Sequence, residues 1–505
     1  MSTICAISTP AGVGGIAVAR VSGPQAIETV DRLWRGKTLA SCESHTAHLG
    51  HIIDPDRSGE SLDQAVATIF RSPNSFTGED VVEVSVHGSR FVQAELIRLL
   101  CRNGARMAEP GEFTRRAFAA GKLDLAQAEA VADVIAANSR AALRIANRQM
   151  RGAFSQRLAA LRQQLTDLSA LLELELDFSE EDVEFASRDH LRELARQILA
   201  EIERLRSSFA AGTAIKDGIP VAIAGPTNAG KSSLLNALLN DDRAIVSDIH
   251  GTTRDTVEDT LTIGDHLFRI IDTAGIRDTS DTVELAGIQR SRQAIARAAV
   301  IIAVIDATTE PRATYRTTPG SGKPHPAPSS DLITEIRSIA PDTPLIIARN
   351  KTDLLANNEK TTLRRLGDSS GDNPSNGKQG GGNHDGGNHG NTSTGLTILG
   401  ISAKTGQGLD ALRGILTRAA DNLTGTATAD AILITNQRHY DALTAATAPL
   451  SRLLAALAHT SPLSSPIDLM AMDLREALSH LASITGAITT PDILSTIFAR
   501  FCIGK

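Results

Sequence analysis

The stretch Gly225-Pro226-Thr227-Asn228-Ala229-Gly230-Lys231-Ser232 has glycines at its first and sixth positions and closes on a Lys-Ser pair. Glycines at that spacing let consecutive backbone N–H groups turn inward around phosphate oxygens, and a following helix adds the positive end of its dipole. Lys231 then reaches the β- and γ-phosphates, and the Ser232 hydroxyl ligates magnesium. Two tetrapeptides settle the base and the metal. Asp272-Thr273-Ala274-Gly275 follows the apolar Ile270-Ile271, which sets a carboxylate near the metal and a glycine amide near the γ-phosphate. Asn350-Lys351-Thr352-Asp353 follows Leu345 to Ala348. A carboxylate at Asp353 accepts both the ring N–H and the exocyclic amine of guanine, a pair that adenine does not offer. Ser402-Ala403-Lys404, after the next apolar run, closes over the base through a backbone amide. In this order, each at a strand end, these short motifs specify a GTP-binding domain.

One expected group is missing. Ras-type GTPases place a glutamine directly after the third motif to orient the attacking water. Here that position is Ile276, and the acidic residues Asp278, Asp281 and Glu284 follow it. One of these carboxylates is a candidate to position water, directly or through a second water, while Asp278 and Asp281 read more readily as solvated. Asn228 faces the phosphates with an acceptor oxygen, which makes sense if a monovalent cation sits there in place of an arginine finger.

These motifs need a parallel sheet to hold them. Val221 to Ala224, Phe268 to Ile271, Val300 to Ile305, Leu345 to Ala348 and Leu396 to Ile401 are short apolar runs between helix-compatible stretches, the pattern of strands with crossover helices. They lie within a domain spanning 218–423. Two polar tracts interrupt it, about 308–330 and 367–395, and both read as disordered surface loops. Asn383-His384-Asp385 and Asn388-His389 lie in the second, where nothing holds the imidazoles in a metal-binding geometry. Residues 1–122 read as an α+β domain with strands at Ile16 to Val21 and Val81 to Val86 and a helix at Val92 to Leu100. Residues 123–217 are helical, with Leu158, Leu161, Leu165, Leu168 and Leu172 forming one apolar stripe. Residues 424–505 have the same character, with Leu443, Leu450, Leu453 and Leu454 and then Leu469, Leu474, Leu478 and Leu481. The two helical blocks are expected to pack together, with the GTP-binding domain inserted between them. The expected fold is thus multi-domain α+β and α/β: an N-terminal α+β domain, a helical bundle and an inserted Ras-like phosphate-loop domain with a parallel sheet.

Composition agrees. The chain has 505 residues, room for three or four domains at roughly 100–200 residues each. It is 41% hydrophobic and 22% charged, with a formal charge of −7. That balance disfavours non-specific polyanion binding but not a local basic patch. Aromatic residues at 3% exclude base stacking as a general theme. The apolar run Ala298 to Ile305 falls far short of the ~20 residues of a membrane span. Met1-Ser2-Thr3-Ile4 lacks the basic start of a signal peptide, so a cytoplasmic location is expected. Cys5, Cys42, Cys101 and Cys502 show no paired metal-ligand spacing.

With these residues in hand the chain resembles the MnmE (TrmE) family of bacterial tRNA-modification GTPases over nearly its whole length, the two polar tracts excepted. The resemblance rests on Gly251-Thr252-Thr253-Arg254-Asp255 and Asp272-Thr273-Ala274-Gly275 in the GTPase domain. Outside it lie Phe76-Thr77-Gly78-Glu79-Asp80, Pro110-Gly111-Glu112-Phe113-Thr114, Lys122 to Glu129 and the terminal Phe501-Cys502-Ile503-Gly504-Lys505. It implies an N-terminal dimerisation domain that binds 5-formyl- or 5,10-methylene-tetrahydrofolate through Arg20, Glu83, Lys122 and Lys505. The family pattern gives potassium to Asn228, Ser247, Ile249 and Thr252, and magnesium to Ser232 and Thr253. It extends the nucleotide contacts to Ala229, Gly230, Lys231, Ser233, Asp248, His250 and Gly251, and makes Glu284 catalytic, with Cys502 a further candidate. The implied reaction is joint with an FAD-containing partner, MnmG. A homodimer and that flavoprotein add an aminomethyl or carboxymethylaminomethyl group to C5 of the wobble uridine of certain tRNAs, and GTP hydrolysis drives the cycle. The alternative, a ribosome-assembly GTPase switch, accounts for 218–423 but leaves the N-terminal residues and the Cys-Ile-Gly-Lys tail unexplained.

Overall fold

The computed structural model describes residues 2–57, 59–177, 188–240, 259–271, 292–309, 328–355, 396–425, 432–458, 467–499, 501 and 504. The chain divides into two compact units. One comprises Met1–Ala136, Arg144–Ser207 and Asn436–Lys505, the other Ala137–Leu143 and Ser208–Thr435.

The first unit begins with a seven-stranded sheet of β1 (Ile4–Ile7), β2 (Gly14–Ser22), β3 (Trp34–Arg35), β4 (Thr46–Asp54), β5 (Glu60–Phe70), β6 (Val81–Gly88) and β7 (Arg106–Met107), in the order β3-β4-β5-β6-β2-β1-β7. Side chains alternate between faces along a strand. Ala17, Ala19 and Val21 of β2 therefore share a core with Leu96, Leu99 and Leu100 of α2 (Arg90–Arg102), and with Ile27 and Val30 of α1 (Ala26–Asp31). The opposite face carries rows set by register. Ala47, Thr68, Glu83 and Arg20 lie side by side across four strands, and Leu49, Val66, Ser85 and Val18 form the next row. Helix α3 (Glu112–Ala119) covers one end of this face, where Phe113 packs with Ile4, Ala6 and Ala108. Ile16 and Leu49 remain 68% and 66% exposed.

The helices continue as α4 (Leu125–Ala136), α5 (Arg140–Met150), α6 (Ala153–Asp177) and α7 (Arg188–Ser207). Then come α8 (Phe209–Asp217), α9 (Lys231–Asn240), α10 (Pro328–Ile339) and α11 (Leu409–Thr424) in the second unit. The last, α12 (Gln437–Ala458), α13 (Ile467–Thr485) and α14 (Pro491–Phe498), return to the first. The leucine stripe of α6 is fully buried, from Leu158 to Leu172. Helix α12 packs on α7 and α13, and α13 on α6, so helices remote in sequence share one core. Leu469 departs from expectation and is 52% exposed. It lies about 110° round the helix from the buried stripe of Met470, Leu474, Ala477 and Leu481. A buried polar cluster ties α4 to α12 and α13. The Arg438 guanidinium grips both oxygens of Glu129 (3.0 and 2.9 Å) and donates to the carbonyls of Ser483 and Ile484 at the end of α13. His439 lies 2.7 Å from the same carboxylate. Burial pushes the Glu129 carboxyl up, but the hydrogen bonds from His439 and Arg438 outweigh it and bring it down to about 2.

In the second unit β8 (Ile219–Ala224), β9 (Asp259–Ile263), β10 (His266–Ile271), β11 (Val300–Asp306), β12 (Leu345–Asn350) and β13 (Leu396–Gly400) form a sheet in the order β13-β12-β11-β8-β10-β9. All neighbours are parallel except β9, which pairs antiparallel with β10. Both faces are covered, which is why β8, β11 and β12 read as nearly unbroken apolar runs. Val221, Ile223, Ile302 and Val304 pack with Leu234 and Leu238 of α9 and Leu412 of α11, while Ala222, Ile301 and Ala303 pack with Ile336 of α10. Two details differ from the sequence reading. Strand β9 was not anticipated because Thr260 and Thr262 alternate with Leu261 and Ile263 at the sheet edge. Pro328 to Ser330, read as the end of a disordered loop, open α10, since proline is tolerated in a first turn that needs no N–H. The remainder of that tract from 310, and all of 367–395, lie outside the described residues.

Candidate functional site

Strand β8 runs into the phosphate-loop motif, and α9 begins at Lys231. The loop turns through three left-handed backbone positions: Gly225 (φ 153°), Asn228 (φ 64°) and Gly230 (φ 94°). A Cβ at Gly225 would lie 2.2 Å from the Val304 carbonyl oxygen, and one at Gly230 would lie 2.2 Å from Asn350 Nδ2. Both positions therefore require glycine on space as well as on angle. Asn228 is exposed and adopts a conformation that asparagine tolerates better than most residues. Lys231 folds over the loop, its Nζ donating to the carbonyls of Gly225 (2.8 Å) and Pro226 (2.9 Å). Burial lowers its pKa. Among the described residues no carboxylate pairs with it, so this loop holds a partly desolvated positive charge that an anion would compensate. The residues fit a bound phosphate.

The segment Asn350-Lys351-Thr352-Asp353 is joined to that loop. Asn350, 2% exposed, donates from Nδ2 to the Ala229 carbonyl (3.0 Å), and its Oδ1 accepts from the Ala403 N–H (3.0 Å). One side chain thus braces the phosphate loop against the Ser402-Ala403-Lys404 turn. The Ala403 amide, expected over the base, is engaged by Asn350. Ser402 Oγ donates to Asp353 Oδ1 (2.7 Å), and Thr352 donates to the Ile401 carbonyl from both Oγ1 (2.9 Å) and N (3.2 Å). Lys351 takes a left-handed backbone (φ 62°) and pairs with Asp306 at 2.6 Å. Burial raises the Asp306 carboxyl, and the hydrogen bonds from Lys351 and Thr308 more than offset it, leaving it below its ordinary value. Sequence reading missed Asp306. Its signal was an acid closing the apolar run of β11, one strand over from Asn350 and in register with it. Ser247, Asp248, Ile249, His250, Gly251, Thr252 and Thr253 lie outside the described residues. So do Asp272, Thr273, Ala274, Gly275, Ile276, Asp278, Asp281 and Glu284.

In the first unit, Arg20 and Glu83 are direct cross-strand partners, with Nε and Nη2 of Arg20 at 2.9 and 2.7 Å from Glu83 Oε1. Two loop motifs converge on them. The guanidinium carbon of Arg20 lies 5.4 Å from the Phe76 ring centre and 5.7 Å from that of Phe113. Behind the rings, Arg116 holds Glu79 at 3.0 Å and Glu112 at 2.9 Å, and Ser22 Oγ donates to Glu79 (2.7 Å). Burial raises the Glu112 carboxyl, but Arg106, the Glu109 N–H and Arg116 bring it down to about 2. Lys122 reaches the same loop, donating to the Pro73 carbonyl (2.9 Å), with its stem 3.5 Å from where a Cβ on Gly78 would lie. The Gly504 carbonyl accepts from Ser8 Oγ (3.0 Å), just past β1. Lys505 and Cys502 lie outside the described residues. A cavity of about 570 Å³ between the 7–12 segment and α2 is lined by Ile7, Gly12, Arg90, Gln93 and Ile97, and by none of Arg20, Glu83 or Lys122. Cys5 and Cys101, distant in sequence, lie with sulfurs 3.9 Å apart. Among the described residues there is no cluster of His, Cys, Asp and Glu that would hold a metal ion, and no helix long and apolar enough to cross a membrane.

Comparison with known proteins bears on both units. The model of the TrmE N-terminus matches residues 3–122, and that of the MnmE helical domain matches 125–502. The tRNA modification GTPase MnmE of Parabacteroides distasonis is 44% identical over 513 residues, covering 100% of both chains. That of Flavobacterium johnsoniae is 44% identical over 100% of this chain and 99% of its own, and that of Christiangramia forsetii 43% over the same shares. Among solved structures, an Aquifex aeolicus Era variant with GDP and aluminium fluoride is 25% identical, over 45% of this chain and 65% of its own, with a TM-score of 0.25. A glycine loop braced through Asn350 to the turn at Ser402-Ala403-Lys404, on a chain matched end to end by such relatives, makes this a GTPase that belongs to the MnmE (TrmE) family of tRNA modification GTPases.

Proposed function

We propose that the protein uses GTP hydrolysis to drive modification of C5 of the wobble uridine in certain tRNAs, as a homodimer working with the FAD-containing partner MnmG. The group added is aminomethyl or carboxymethylaminomethyl, and a tetrahydrofolate supplies its one-carbon unit. The observation that carries the folate reading is the Arg20–Glu83 pair on the open face of the N-terminal sheet, flanked by Phe76 and Phe113. The pterin ring of a folate has donors suited to Glu83, while the folate's glutamate tail suits Arg20 or Lys122 and Lys505. In the GTPase domain, Lys231 takes the phosphates, Asp353 the guanine, and Ser232 with Thr253 the magnesium. Asn228, Ser247, Ile249 and Thr252 take potassium, and Glu284 orients the attacking water in place of the side chain that Ile276 lacks. Cys502 is a candidate thiol for the modification itself.

The test is nucleoside mass spectrometry of tRNA from cells lacking the protein, complemented with the parent or with Glu83→Gln. The parent restores the modified wobble uridine, and Glu83→Gln restores much less while hydrolysing GTP normally. Full modification in the absence of the protein would overturn the reading, and full rescue by Glu83→Gln would remove the folate assignment.

A further inference from the structure

The loop between β5 and β6 carries Phe76 to the Arg20 guanidinium, and its own bonds close it. Ser72 donates from N to Asp80 Oδ1 (2.8 Å) and from Oγ to the Gly78 carbonyl (2.8 Å), and Ser75 Oγ donates to the Glu79 carbonyl (2.6 Å). A loop closed on itself moves as one piece. Whatever grips Glu79 therefore also sets where the Phe76 ring lies.

Arg116 is that grip. It is 7% exposed; its Nη1 donates to both Glu79 oxygens (3.0 Å each), and its Nη2 to Glu112 Oε1 (2.9 Å) and the Ser2 carbonyl (2.8 Å). Glu112 does not need this bond for charge balance, since Arg106 already meets both of its oxygens at 2.8 and 2.5 Å. Glu79 has no other cationic partner among the described residues. Lys122, by contrast, makes a single exposed bond to the loop, at the Pro73 carbonyl. Arg116 stands three residues after Phe113 on α3, so one side of that helix presents both groups. Phe113 packs against Ile4, Ala6 and Ala108 and fixes α3 on the sheet. The two rings near Arg20 thus belong to separate segments, and the Arg116 fork is the buried charged tie between them.

We propose that Arg116 is a positioning residue for the tetrahydrofolate site, holding the Phe76 loop to α3 so that Arg20 keeps the orientation in which it meets Glu83 and the ligand; this presupposes the folate reading of that site. A planar guanidinium fork holds two carboxylates at fixed angles, and a lysine ammonium of equal charge does not. A site whose supporting residues loosen binds more weakly although its contact residues are all present.

The test titrates the full chain with 5-formyl-tetrahydrofolate in a calorimeter and follows thermal unfolding alongside. Arg116→Lys should bind about tenfold more weakly, and so should Phe76→Ala, which takes the ring off the loop. The double variant should bind no more weakly than Phe76→Ala alone, because the ring that Arg116 positions is already gone. Parental affinity in Arg116→Lys, even with a lowered unfolding temperature, would make the arginine merely structural and overturn the proposal. Losses that multiply to about a hundredfold in the double variant would show that Arg116 does not act through the loop, and would overturn it too. Both results leave the folate reading in place. Should Arg116→Lys fail to fold, Glu79→Gln replaces it in the same cycle, since it keeps the hydrogen bond from Ser22 and removes the charge that Arg116 grips. The same outcomes then decide. A parent that does not bind 5-formyl-tetrahydrofolate would remove the folate reading itself, and this inference with it.

Discussion

The phosphate loop with its guanine motif and the Arg20–Glu83 face are built on opposite plans. In the first, contiguous segments carry the chemistry, and the side chains that join them serve mainly to brace backbone. Asn350 spends both ends of its amide on Ala229 and Ala403, and Thr352 spends its hydroxyl and amide on Ile401. In the second, the polar groups come from segments distant in sequence and meet through strand register, as Arg20 meets Glu83, or through the packing of α3 on the sheet, as Arg116 meets Glu79. A segment-built site depends on local angles and on space for glycine. A register-built site depends on the entire sheet being paired correctly.

That contrast can be broken by substitution. The largest effect is expected at Glu284: Glu284→Ala should lower GTP turnover about 100- to 10,000-fold with near-parental GTP affinity, read by steady-state hydrolysis and nucleotide titration. Parallel loss of both would make Glu284 structural. Next is the acid response of the first unit. Glu129 titrates at about 2 in the folded chain against an ordinary 4.5, so its stabilisation is complete above about pH 5 and is lost as pH falls toward 2. Its share is about 3 kcal/mol. Urea unfolding at pH 7 and at pH 3 should show this loss in the parent and a smaller one in Glu129→Gln, which is already weakened at pH 7.

Asp353→Asn should weaken GTP binding by about 10- to 100-fold, the range for losing a charged hydrogen-bond pair, while improving binding of xanthosine triphosphate. Unaltered preference would detach Asp353 from the base. The smallest effect belongs to the register-built site. Arg20→Ala should weaken tetrahydrofolate binding about tenfold, measured calorimetrically, and leave GTP turnover untouched, since one charge-assisted contact among several is lost. A change in GTP turnover would show that the two sites are not energetically separate.

Legibility in the sequence followed the same division. The apolar runs of β8, β11 and β12 were plain because strands buried on both faces leave few polar interruptions, and the glycines of the phosphate loop stood at positions where a Cβ has no room. Edge strand β9 was hidden by its alternating threonines. Arg20 and Glu83 were reached only through family resemblance, because a cross-strand pair separated by 63 residues leaves no local spacing to read. Asp306 and Arg116 escaped for the same reason.

The bond between Ser8 and Gly504 spans 496 residues. A ribosome that has made the whole N-terminal sheet, through Met107, still has most of the 505-residue chain to synthesise before this contact can form. Gly504 adopts φ 99°, and a Cβ there would lie 2.3 Å from the Ile7 carbonyl oxygen, so a substituted residue would not seat in its place. Any product truncated before Gly504 would therefore carry an N-terminal sheet without this last contact. A frameshift or premature stop late in the message would be felt at the edge of the first strand, however complete the GTPase domain between them.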